Sequence, residues 1–222
     1  MNTSGNIQHA GGDAFFAAAG VTVIEQENAE KQLSSEDLSF TSVPGGSDLA
    51  AGPLRSIYVD NMILHQGSEE FRLVQYGPGD SDGDTVIYFV KANIVVMGDI
   101  FCSASYPPVE LASGGSVKGV IETVDRVLAA TNDKTRIIPD SGPIATRADL
   151  QAYRDMLVTV RQRIWSLVSK GETKDQIVAG EPTKDFDAQW GTGHVREDEF
   201  TTVIYSQTVD RSNPTPSPSS FR

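Results

Sequence analysis

Four turns rich in Gly, Asp, Asn and Ser carry side chains that could bind a metal ion or move a proton. Residues 2–12 include His9, residues 79–84 carry Asp80, Asp82 and Asp84, residues 98–101 carry Asp99, and residues 139–143 carry Asp140 and Ser141. Imidazole nitrogen and carboxylate oxygen are the donors from which divalent-cation sites are built, and a bound cation makes a coordinated water acidic enough to act as a nucleophile near neutral pH. The chemistry on offer is metal binding or metal-assisted hydrolysis by donors drawn from these turns. Against it stand two plainer roles: a lone histidine often caps or packs a helix, and Asp-Gly turns also form for conformational reasons. His65 in an expected hairpin turn and His194 in a late loop read as surface structure, and Asp82 and Asp84 as shapers of their loop.

Each turn lies at the end of an expected element. A short Ala-rich helix is predicted over 13–19, opened by Asp13 and closed by Gly20, then a buried strand over 21–24 and a charged helix over 27–33. The Ser/Gly/Pro-rich stretch 34–53 reads as loop. Short β-prone runs at 57–59, 62–64 and 71–76 suggest antiparallel strands, and 85–89 and 93–97 suggest a hairpin joined through Val90-Lys91-Ala92. Over 117–130, Val120, Ile121, Val124, Val127 and Leu128 recur at helical spacing behind a Ser116 cap. A strand is expected at 136–138. Thr146 then caps a long helix whose Leu150, Tyr153, Leu157, Val160, Ile164 and Leu167 share a face, ending at Gly171, and further helices are expected over 173–179 and 198–209. This order implies an α/β fold of mixed sheets covered by helices, one domain over 1–209 and a disordered Pro/Ser-rich tail over 210–222.

Composition narrows the partners. A net charge of −12 opposes approach to nucleic acid or to an anionic membrane surface. Cys102 is the single cysteine, so no internal disulfide forms, and its apolar setting makes it a buried thiol without a redox role. No run approaches the ~20 apolar residues of a bilayer span, and the first residues lack the layout of a secretory signal. The chain reads as soluble, with its compartment unassigned: cytoplasmic as written, periplasmic if a leader precedes it. Met1 stands directly before the Gly-rich turn with no strand ahead of it, which implies an upstream segment.

The blocks Asn2-Thr3 with His9 and Gly11-Gly12, Asp82-Gly83-Asp84-Thr85-Val86, Met97-Gly98-Asp99-Ile100-Phe101, and Ile137-Ile138-Pro139 with Gly142-Pro143 together resemble the metallo-β-lactamase superfamily in order and spacing, over nearly the whole chain to about Val209. The resemblance implies an αββα sandwich in which the N-terminal strands of the first sheet are missing. It also implies a dinuclear zinc site that hydrolyses amides, esters or thioesters. Placed on that pattern, Ser4 and Asn6 stand where the first two histidines belong, Gln8 where the motif has aspartate, Asp80 at the third-block histidine, and Asp140-Ser141 in place of a Gly-His pair; His9 and the bridging Asp99 agree.

The expectation that follows is a protein that has lost dinuclear zinc hydrolysis and serves as a pseudoenzyme or binding domain for a small-molecule ligand. One alternative is a hydrolase of esters, lactams or thioesters with an altered mononuclear site on His9, Asp80 and Asp99, holding zinc or a harder ion such as Mn or Mg, which oxygen donors suit. Another is a truncated product without independent function. An uncovered sheet edge would call for a homodimer or for the missing N-terminal segment. Tyr106-Pro107-Pro108 falls where relatives line the substrate mouth, or packs as an apolar wall.

Overall fold

The computed structural model describes residues 1–35 and 55–210. The loop expected through residue 53, beyond Ser35, and the tail after Asp210 lie outside the described residues. Five strands, β3 (Asn61–Gln66), β4 (Glu69–Val74), β5 (Val86–Phe89), β6 (Ile94–Val96) and β7 (Arg136–Ile138), form one sheet in that order. The first four pair antiparallel, β3 with β4 and β5 with β6 through short turns as the 85–97 hairpin pattern predicts, and β7 joins β6 in parallel. That last pairing needs a crossover, and helix α4 (Val117–Ala130) supplies it.

A second sheet holds β1 (Val23–Gln26) and β2 (Arg55–Tyr58), with Val23 opposite Arg55. This pair is parallel, where the runs near 57–59 suggested antiparallel neighbours. A parallel pair needs a long crossover connection, and the 28 residues between the strands, which include helix α3 (Glu27–Ser35), are enough for one. His65, expected in a turn, sits within β3 opposite Glu70.

Period-two alternation in β5 divides the protein into layers. Val86 and Tyr88 face α4 and the long helix α5 (Arg147–Ser169), where Val95, Val124, Leu150, Leu157 and Val160 complete a core of fully buried aliphatics. Ile87 and Phe89 face the other way, toward Tyr58 of β2 and Leu73 of β4. Beyond β1 and β2 lies α3, with Ala29 and Leu33 buried. The result is helices, sheet, small sheet and helix in succession, with each buried Val or Leu contributing about 1.5–3 kcal/mol.

Helix starts follow their caps. Ser116 accepts from the Gly119 amide, and Thr146 with Asp149 and Thr173 with Gln176 form reciprocal capping boxes for α5 and α6 (Lys174–Ala179). Asp13 does not cap its helix α2 (Asp13–Ala18): Gly12 holds that position, and the Asp13 carboxylate instead accepts from Asn2 Nδ2 at 2.7 Å. The sequence pattern also passed over two single-turn helices, α1 (Ile7–Ala10) and α7 (Asp187–Trp190), which are too short to show periodicity. The last helix, α8 (Glu197–Val209), packs on α5. Among the described residues no helix is long and apolar enough to cross a membrane.

Candidate metal centre

Two backbone hydrogen bonds pin the N-terminal residues across the sheet ends, from Asn2 N to Ile24 O at 3.0 Å and from Thr85 N to Thr3 O at 2.7 Å. Thr3 can lie there because residue 98 is glycine. Its φ is +54°, and a Cβ would stand 2.6 Å from the Thr3 side chain. Asn6 starts α1 by accepting from the Gln8 amide at 2.9 Å, and the resulting helical turn aims His9 back at Thr3, whose Oγ1 is 3.1 Å from His9 Nδ1.

On its other side His9 meets two carboxylates. Nε2 is 3.0 Å from Asp99 Oδ1 and 3.3 Å from Asp140 Oδ1. Asp99 belongs to a 3-10 turn, Gly98–Ile100, directly after β6, and Asp140 follows β7. Because these strands are parallel neighbours, both chains leave the sheet at the same end. The bonds Met97 N to Ile138 O at 3.0 Å and Asp140 N to Phe101 O at 2.9 Å continue the pairing into the turns. One donor atom from each of His9, Asp99 and Asp140 lies within 4.8 Å of the others.

The remaining sequence candidates surround this trio. Ser4 Oγ donates to Asp99 Oδ2 at 2.9 Å, leaving Asp99 Oδ1 for His9. Asn6 spends its oxygen on the Gln8 amide and turns Nδ2 toward Glu110 Oε1 at 3.4 Å, while the Gln8 side chain is exposed. The Ser141 carbonyl accepts from Ser103 N at 3.0 Å. Asp80 is buried beside the trio with Oδ1 lacking any hydrogen-bond partner. Asp84 accepts from the Ser81 amide at 3.1 Å and hydroxyl at 2.8 Å, the loop-shaping role expected of it.

Anionic charge is in excess here. Burial, and then the fields of Asp84, Asp99, Glu110 and Asp140, push the Asp80 carboxyl up to about 10. Burial lifts Asp84 to about 7 against its hydrogen bonds from Ser81. Asp140 is raised by burial and by Asp99, with His9 and His194 opposing. His9 is raised above its ordinary value, first by the hydrogen bond to Asp99, despite its burial. Two buried acids that resist ionisation, Asp80 and Asp84, thus stand near the one imidazole.

Sequence reasoning set Asp140 among the turn carboxylates of one pocket without naming it a ligand, and overlooked Glu110. It assigned His194 to the surface. His194 is exposed, yet its charge acts on Asp140. No local pattern marks Glu110 or His194; the turns that carry them come near the centre only through tertiary folding. Tyr106 proves to be core, stacked on Phe200 with ring centroids 4.7 Å apart and its hydroxyl donating to Asp187 at 2.7 Å. Cys102 is buried, its thiol pushed up to about 12 by that burial, as its apolar neighbours foretold.

No protein-family model matches this sequence, and no curated protein does. Solved structures of similar fold do exist. A metallo-β-lactamase from Pontibacter korlensis superposes with a TM-score of 0.55 at 16% identity over 71% of this chain and 67% of that one. The metallo-β-lactamase IND-7 gives a TM-score of 0.55 at 19% identity, over 71% of this chain and 66% of the other. The stereoselective inverting sec-alkylsulfatase Pisa1 from Pseudomonas sp. gives 0.64 at 18% identity, covering 98% of this chain but 43% of its own. The chain thus spans about two thirds of the lactamases and under half of the sulfatase. At such identities the likeness is one of fold, and the hydrolytic activities those names record belong to those proteins.

Proposed function

We propose that this chain, which has the metallo-β-lactamase fold, holds one divalent cation on His9 Nε2, Asp99 and Asp140 and acts as a single-ion hydrolase. The observation that carries the reading is the convergence of those three donors within 4.8 Å. The unpartnered Asp80 oxygen beside them supports it, because a buried acid with no donor of its own is compensated by a nearby cation. The commitments of Ser4 and Asn6 to other bonds, and the exposure of the Gln8 side chain, favour one ion over the two of the family pattern. One imidazole with two or three carboxylates suits zinc, and equally the harder Mn or Mg.

A bound cation supplies Lewis acidity toward a carbonyl or related oxygen and acidifies a coordinated water. The chain's own residues provide the rest. With an ion held there, Thr3 Oγ1 would accept the Nδ1 proton of His9 and free the Nε2 lone pair for coordination. The Ser4 hydroxyl orients Asp99 from the opposite oxygen. In the ion-free protein burial and the neighbouring carboxylates keep the Asp80 carboxyl protonated at neutral pH. Esters, lactams and thioesters are the substrates such chemistry serves.

The test is metal analysis after dialysis, together with hydrolysis of a simple ester and a lactam. About one ion retained per chain, with both retention and turnover lost in Asp99→Ala, supports the reading. Failure to retain zinc, manganese or magnesium defeats it. One observation favours a second reading, a binding domain without metal: a protonated His9 is already satisfied by Thr3, Asp99 and Asp140. Under that reading the protein retains no ion and does not turn over substrate, while a small-molecule ligand still binds.

A further inference from the structure

A cavity of about 490 Å³ lies between the segment after the Asp99 turn and helix α8. Pro107, Pro108 and Val109 line it from the first side, and Val195, Thr202 and Val203 from the second. Its exposed members are His194, Asp198 and Glu199. The volume is that of a small-molecule pocket, where apolar walls with a few polar groups are the rule.

This cavity adjoins the candidate metal centre at two points. His194 lines it and also offsets the charge of Asp140. Val109 precedes Glu110, whose amide bonds to Asp80 O at 2.9 Å and whose carboxylate receives Asn6 Nδ2 at 3.4 Å. The walls are firmly held. The Val195 amide donates to Ser105 Oγ at 3.4 Å, and a Cβ at residue 193 would stand 2.3 Å from Ser105 Cβ, so glycine there lets the loop close on Ser105. Beneath them Tyr106 stacks on Phe200 of α8.

Charge selects the occupant. Asp198 and Glu199 begin α8 beside Glu197, with Arg196 as the facing cation: its Nε is 3.5 Å from Asp198, its Nη2 is 3.2 Å from Glu197, and its amide donates to Glu199. One cation among three acids, with the carboxylates of the metal centre next door, leaves the cavity anionic.

We infer that this cavity is the subsite for the unreacting part of the substrate, and that it takes a medium-length alkyl or acyl chain ending in a cationic or uncharged group and rejects an anionic one. The inference names the substrate class of the single-ion reading and rests on it for what reacts; chain binding itself requires no ion.

The test therefore uses metal-free full-length protein with valine methyls labelled for NMR, titrated with three probes that share an eight-carbon chain: octyltrimethylammonium, 1-octanol and octanoate. Saturable shifts at Val109, Val195 and Val203 are expected, with the ammonium binding about tenfold or more tighter than octanoate. Val195→Arg should abolish binding of all three, with Thr202→Arg used instead if that variant melts early. Asp198→Asn should reduce the preference for the ammonium while leaving 1-octanol unchanged. Octanoate binding as tightly as the ammonium, shifts confined to other valines, or a folded Arg variant that binds like the parent would each overturn the inference. Ion retention without chain binding defeats the subsite alone, and chain binding without ion retention defeats the single-ion reading alone.

Discussion

Replacing Asp80 with asparagine removes a charge that the fold makes expensive. In the folded, metal-free protein the carboxyl titrates at about 10 instead of 3.8, chiefly because it is buried and then because Asp84, Asp99, Glu110 and Asp140 surround it. The folded state therefore binds this proton more tightly than the unfolded state. Its contribution to stability is fully present below about pH 4 and is lost progressively as pH rises toward about 10. At pH 7 the gap, at ~1.36 kcal/mol per pH unit, amounts to a penalty of about 4 kcal/mol. Asparagine avoids that penalty but buries an extra N–H group, which returns about 1–3 kcal/mol. Asp80→Asn should thus stabilise the metal-free protein at pH 7 by about 1–3 kcal/mol, with the advantage growing with pH, vanishing at about pH 4.5–6 where penalty and cost balance, and reversing below.

His9, with its raised value, works in the same sense: its pairing is fully present below 6.5 and is lost as pH rises through the folded value, so the parent should weaken toward alkaline pH. Urea unfolding of parent and variant in chelator, at a series of pH values and with equal slopes, isolates the Asp80 part as a difference of midpoints. A variant less stable than the parent at pH 7, or a difference that does not change with pH, would refute the reasoning. That result would mean the Asp80 carboxyl is better solvated or partnered than its surroundings indicate.

Other outcomes follow from the same geometry. Zinc or manganese at about 100 times its Kd should stabilise the parent by about 2.7 kcal/mol, read from the melting temperature, and His9→Ala should abolish the gain. Gly98→Ala forces a left-handed conformation and a contact with Thr3, so it should cost at least about 1–2 kcal/mol and weaken metal binding, measured by unfolding and by ion titration. Leu157→Ala empties a fully buried site between α5 and the sheet, and should cost about 2–5 kcal/mol in urea unfolding without altering ion stoichiometry. Cys102, with its thiol raised to about 12, should react with an aromatic disulfide reagent only at the rate of unfolding, and a fast reaction in native buffer would contradict its burial.

Local chemistry was legible where a pattern repeats within one element. The Thr146 and Ser116 caps and the apolar stripes of α4 and α5 appear as read, and the β5–β6 hairpin follows from two apolar runs and a short link. His9 and Asp99 could be singled out as candidates because they agree with the metallo-β-lactamase pattern that the turns resemble. Partners across the fold were not legible. Nothing within 23–58 distinguishes parallel from antiparallel pairing of β1 and β2, since direction depends on where the intervening helix returns the chain. Asp140 looked like one more turn acid. Its place opposite His9 comes from the register of β7 on β6, which sets Val96 beside Ile138.

The sequence by itself determined the elements and the excess of negative charge, because these rest on residue types and short-range spacing, and it offered His9 and Asp99 as candidate ligands. Only the tertiary structure decided which acids stand together and which are deprived of water. Donor convergence and desolvation are set by contacts between residues as far apart in the chain as His9, Asp99 and Asp140, and by the packed layers that exclude solvent from Asp80.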